Sequence, residues 1–141
     1  MGEAREVMDR VTEAAFSGDA DALGRLYADD AVAETPDEGT LRGRDAIVTW
    51  LMKFDQAFPD ASFELTAGHE AGDAAIDEGY LNGTNSGSLP MPGGQTLPAT
   101  GRTVRIRACD VATVRDGLVT SHHFYYDQME FLEQLGLAPE A

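Results

Sequence analysis

Residues 109–137 read CDVATVRDGLVTSHHFYYDQMEFLEQLGL, and the pattern of this stretch decides the fold. Val111 to Arg115 has the composition of a strand end, Asp116-Gly117 that of a two-residue hairpin turn, and Leu118 to Tyr126 that of a returning strand rich in β-branched and aromatic residues. Because strand side chains alternate, Val119, Ser121, His123, Tyr125 and Asp127 are expected on one face, and Leu118, Thr120, His122, Phe124 and Tyr126 on the other. The first face lines up an imidazole, a phenol and a carboxylate, so the chemistry is expected there.

Upstream, the first strand of this hairpin runs from Arg102 to Arg115. Val104, Ile106, Ala108, Asp110, Ala112 and Val114 share one of its faces. Before it, Ser86 to Gly101 is rich in Gly, Pro, Ser and Thr and reads as a long loop of the kind that serves as a lid. Earlier still, Phe63, Leu65 and Ala67 alternate with polar residues, Gly72-Asp73 makes a turn, and Ala74 to Asn85 gives another strand. The N-terminal part is helical instead. Val7, Met8, Val11, Ala14, Ala15 and Phe16 recur at helical spacing between Glu3 and Phe16, and Ser17-Gly18 ends that helix. Asp19 caps a second, short helix with Ala22, Leu23, Leu26 and Tyr27 as its apolar positions. A short strand is expected from Ala31 to Thr35 and a loop from Pro36 to Gly39. A third helix follows from Arg44 to about Ala57, stopped by Phe58-Pro59. Helices first and strands afterwards predict an α+β domain with helices packed on one face of an antiparallel sheet.

With 141 residues, one domain spanning 1–141 is expected, large enough to bury a core without staples. A hydrophobic content of 43% is that of a globular chain even at a formal net charge of -15. Ten basic residues spread along so acidic a chain form no patch for nucleic acid or an anionic membrane surface, so neither partner is expected. A single cysteine, Cys109, allows no internal disulfide. The N-terminus lacks the apolar run of a secretory signal, so the expected location is cytoplasmic.

The GDADALGRLYADDAV segment, the GRDAI start of the third helix, GTNSG, PATGRTV and the closing DG…HH…YYD…LEQLG, in this order, resemble the SnoaL-like polyketide cyclases and related ester cyclases of the NTF2-like superfamily. The resemblance covers nearly the whole chain. It implies a cone-shaped barrel, in which a strongly curved antiparallel sheet and three N-terminal helices enclose a pocket open at one end. It also implies an acid/base enzyme, free of metal and organic cofactor, that closes a ring by an intramolecular aldol-type reaction on a small apolar carbonyl compound. A homodimer packed through outer sheet faces is implied as well, with Phe124 and Tyr126 suited to that contact. An aspartate just before the last short helix is the general acid/base of such cyclases, and Asp127 matches its position. Three departures accompany the match: Asn85 replaces the histidine of a GTHxG motif, His123 stands where a tryptophan is common, and Asp110 lies near a position where a histidine is common.

The candidate catalytic groups are thus Asp127 and His123, and the candidate substrate-binding residues are Asn85, Asp110, Tyr125, Trp50 and Phe63. Each also has a plainer reading. Asp127 is equally well placed to cap the helix beginning at Gln128. His123 is suited to a structural hydrogen bond. Asp110 is either a pocket carboxylate or an edge residue exposed by a twist, and Trp50 and Phe63 are core or pocket wall. His122 is expected to face away from the pocket, at a dimer contact. Adjacent histidines on a strand point to opposite faces, so no metal site is expected, and no phosphate-binding loop, dinucleotide fingerprint or serine elbow is present. Two other classes of function fit the same residues: a binder of a small hydrophobic ligand or dimeric scaffold without catalysis, and an isomerase, dehydratase or hydrolase on the same fold.

Overall fold

Apolar residues at helical spacing put one face of Glu3–Phe16 (α1) onto the sheet, burying Val7, Met8, Val11 and Ala14. The computed structural model describes residues 2–137. Asp19 caps Ala20–Gly24 (α2) by accepting a hydrogen bond from the Ala22 amide at 3.0 Å. The strand expected from Ala31 starts earlier. Leu26 and Tyr27 keep helical spacing beyond the end of α2, yet the chain extends from Tyr27 to Thr35 (β1) and turns back as Gly39–Arg42 (β2). The predicted third helix follows as Arg44–Ala57 (α3), and it ends just before Phe58-Pro59.

The remaining strands are Ser62–Ala71 (β3), Ala74–Thr84 (β4), Thr103–Arg115 (β7) and Leu118–Tyr126 (β8). Within the long loop, Leu89–Pro90 (β5) and Thr96–Leu97 (β6) pair as a small separate hairpin. Gln128–Gln134 (α4) closes the described chain. Asp116 and Gly117 join β7 to β8 with φ values of 54° and 77°, the left-handed geometry that a two-residue hairpin turn requires.

Six strands form one curved sheet in the order β2-β1-β8-β7-β4-β3. It differs from the expected barrel in two respects. The sheet is open, with β2 and β3 at its edges, and it is mixed, because β1 and β8 run parallel. That pairing joins strands from opposite ends of the chain, so the whole of the intervening sequence acts as their crossover. α1 lies against β3, β4 and β7, and α3 against β1. The buried side chains form two clusters, one around Met8, Leu23, Tyr27 and Ile47, the other around Phe58, Leu89, Ile106 and Leu135. Residues of both line the cavity described next.

Candidate active site

A cavity of about 140 Å³ opens between α1, α3 and the concave face of the sheet. Its walls are mostly apolar, built from Phe16, Trp50, Phe54, Phe63, Phe124 and Tyr126, with Asp110 and His122 set into them. Leu89 and Pro90 of the long loop also line it, which makes that loop part of the wall.

The cavity receives Asp110, His122, Phe124 and Tyr126, whereas alternation counted from the turn assigns His123, Tyr125 and Asp127 to the face shared with Asp110. A β-bulge accounts for the difference. Val114 pairs with Val119, but the next pair is Thr113 with Ser121, so Thr120 is an extra residue with no partner. One inserted residue exchanges the two faces of everything beyond it. Val119 is therefore buried from an odd position and His122 from an even one, with exposures of 0% and 1%. The expectation that His122, Phe124 and Tyr126 form a dimer face is corrected accordingly: all three line the interior.

His122 bridges two groups. Its Nε2 lies 2.6 Å from Asp110 Oδ2 and its Nδ1 lies 2.6 Å from the Tyr27 hydroxyl. A carboxylate can only accept, so Nε2–H donates to Asp110, and with the imidazole neutral the Tyr27 hydroxyl donates to Nδ1. Full burial, and secondarily the charge of Asp110, push the Tyr27 phenol well above its ordinary range, which keeps it in its donating form. The Asp110 side chain retains 20% exposure and faces the cavity. The result is a carboxylate with one oxygen fixed by an imidazole and backed by a phenol, set in an apolar wall.

The other predicted residues fall in three places. Trp50 and Phe63 line the cavity; Trp50 Nε1 donates to Asp37 Oδ1 at 3.1 Å, and Phe63 stacks on Phe16. Tyr125 reaches the rim but is 55% exposed, and its hydroxyl is 3.4 Å from Nδ1 of His123, which does not line the cavity. Asp127 is exposed on an open outer groove beside Arg107 and Glu130. Its Oδ1 accepts from the amides of Met129 and Glu130 at 2.9 and 3.2 Å, capping α4. The geometry thus supports the capping reading for Asp127, and the carboxylate inside the cavity is Asp110.

Asn85 is fully buried but does not line the cavity. Its amide donates to the carbonyls of Ala57 and Gly87 at 3.2 and 2.9 Å, and accepts from the Thr100 amide and hydroxyl at 2.9 and 2.8 Å. All four hydrogen-bonding positions of the side chain are used, leaving none for a substrate. Its work is to fasten the ends of the long loop to the end of α3.

Sequence reasoning missed His122 and Tyr27 as a pair. A weak signal for His122 was present: Val119 is apolar at an odd position and Phe124 at an even one, as an inserted residue between them would produce. Nothing comparable marks Tyr27, which is brought to His122 by the parallel pairing of β1 with β8. Among the described residues, no group of three or more His, Cys, Asp or Glu side chains is arranged to hold a metal ion.

The profile of the SnoaL-like domain matches residues 8–122, and the chain belongs to that family. None of the curated proteins matches it. Among solved structures, it is similar to IdmH, a candidate polyketide cyclase from Streptomyces antibioticus. The two are 28% identical over 93% of this chain and 96% of that one, with a TM-score of 0.76. It is also similar in fold to a candidate SnoaL-like polyketide cyclase from Jannaschia sp. CCS1, with 17% identity, coverage of 98% and 94%, and a TM-score of 0.83. A protein of ketosteroid isomerase-like fold from Catenulispora acidiphila DSM 44928, in complex with trimethylamine, gives 24% identity, coverage of 95% and 94%, and a TM-score of 0.74.

Proposed function

We propose that the chain is an acid/base enzyme acting on a small apolar carbonyl compound, closing a ring as the polyketide cyclases it resembles do, with Asp110 as the base. The observation that carries this reading is the Asp110 carboxylate in the wall of an aromatic cavity, held at 2.6 Å by buried His122. Asp110 takes a proton from the carbon next to a carbonyl, giving an enolate. The enolate carbon attacks a second carbonyl of the same molecule, forming the C–C bond and an alkoxide. Asp110 then returns its proton to the alkoxide oxygen, so the carboxylate is regenerated and no other reactant is consumed. His122 keeps one carboxylate oxygen fixed throughout. The aromatic walls exclude water and hold the chain of the substrate folded near the base.

Proton abstraction is measurable without knowing the natural substrate. A panel of small apolar β-keto esters in D₂O, followed by proton NMR, reports exchange of the hydrogens next to the carbonyl. The native protein is expected to speed exchange for a member of the panel, and Asp110→Asn to lower that rate by about 100-fold or more. Exchange unaffected by the substitution would overturn the assignment of Asp110.

A further inference from the structure

Asp77 takes no part in the proton transfer proposed above, yet it is 3% exposed, the lowest of any acidic residue among the described residues. The β4–β7 register places it directly opposite Asp110, on the same concave face. Side chains opposed in this way have Cβ atoms on the order of 5 Å apart, and like charges at that spacing repel. The cation that answers Asp77 is Arg5. Arg5 reaches in from α1 with Nη2 at 2.7 Å from Asp77 Oδ1, its side chain 11% exposed. The same guanidinium holds Asp9 Oδ1 at 2.7 Å and donates through Nη1 to the His69 carbonyl at 3.4 Å. Gly68 makes room for it, since a Cβ there would lie 3.2 Å from Arg5 Nη1. Burying such an ion pair brings little net stability over apolar residues of the same volume, so its position beside Asp110 points to a role in the site.

We propose that Asp77 and Arg5 are positioning residues, whose ion pair sets the electrostatic potential at Asp110 and His122. The proposal rests on the reading of Asp110 as the base. By sign, the Asp77 anion attracts a proton to its surroundings and the Arg5 cation repels one. Other charged or titratable groups in this region are Asp9 of α1, Glu70 of β3 and Tyr27 of β1, together with Asp37, Glu38, Lys53, Asp55, Cys109 and Tyr126 in the wall of the same cavity. Of these, Glu70 is already engaged by the amides of Gly2 and Arg5. Burial raises the proton affinity of Asp77, the bond to Arg5 lowers it, and Asp110 adds to the rise, as expected of two opposed carboxylates.

The test follows the coupled titration of Asp110 and His122 by side-chain carboxyl and imidazole NMR between roughly pH 3 and 9. His69→Gln and His123→Gln serve to assign the His122 signal. Asp77→Asn removes the anion and leaves the cation, and is expected to lower the proton affinity of the pair by about threefold or more, half a pH unit. The double variant Arg5→Gln/Asp77→Asn removes both charges and is expected to return the midpoint to within about twofold of the native value. A midpoint unmoved by Asp77→Asn overturns the proposal, as does a double variant displaced as far as the single one, because packing rather than charge would then be at work. Asp77→Ser replaces Asp77→Asn where the latter does not fold. The outcome is independent of the Asp110 assignment, which stands or falls on proton exchange in Asp110→Asn.

Discussion

His122 is held at both ring nitrogens inside the protein, by Tyr27 on one side and Asp110 on the other. A buried acceptor without a donor costs more than the bond itself contributed, because the group cannot return to water. Tyr27→Phe keeps the packing of the ring but leaves Nδ1 unpaired. It is expected to lower the unfolding free energy by about 1–3 kcal/mol in urea denaturation, and an unchanged midpoint would remove Tyr27 from the relay. At this scale Asp110 was legible in the sequence, since it is a lone carboxylate on an otherwise apolar strand face. Its partner was not: counting by twos from the turn places His123 on that face, and only the extra Thr120 brings His122 there.

Helices α1 and α3 could be bounded from the sequence because breakers flank them, Ser17-Gly18 in one case and Phe58-Pro59 in the other. The start of β1 could not, since Leu26 and Tyr27 continue a helical rhythm and are drawn into extended structure by pairing with β8. Helix α4 separates two roles that meet at the end of the last strand. Asp127 satisfies the first amides of α4, while Asp110 faces the cavity. Asp127→Ala is expected to cost about 0.5–2 kcal/mol of stability through the lost cap, read by thermal or urea unfolding. Proton exchange by the same variant should stay within about twofold of the native rate. A collapse of exchange with stability intact would return the catalytic role to Asp127.

Across the whole molecule an acidic chain buries part of its own charge. Asp55 lines the cavity with Oδ2 buried and without a partner, and burial raises its carboxyl from 3.8 to about 6. The folded state then holds a proton that the unfolded chain has released, so this group favours folding below about pH 4 and loses that effect as the pH rises to about 6. Because Asp55 is only partly buried, the discounted effect is on the order of 1 kcal/mol. Asp55→Asn is expected to be more stable than the native protein at pH 7 by about that amount and to differ little near pH 4. Equal stability curves across the window would show that this carboxylate is solvated after all. The order of helices and strands was readable from periodicity at this scale. The open, mixed sheet was not, because the β1–β8 pairing joins residues nearly a hundred positions apart and leaves no local trace.

The unpaired Thr120 gives the last strand a property that engineering can exploit. Excising that single residue leaves the pairs Val114–Val119 and Thr113–Ser121 as they are, so β8 regains unbroken alternation while His122, Phe124 and Tyr126 keep facing the hollow. One codon can therefore straighten the strand without turning it over, and a protein lacking Thr120 is expected to present the same lining as the native one.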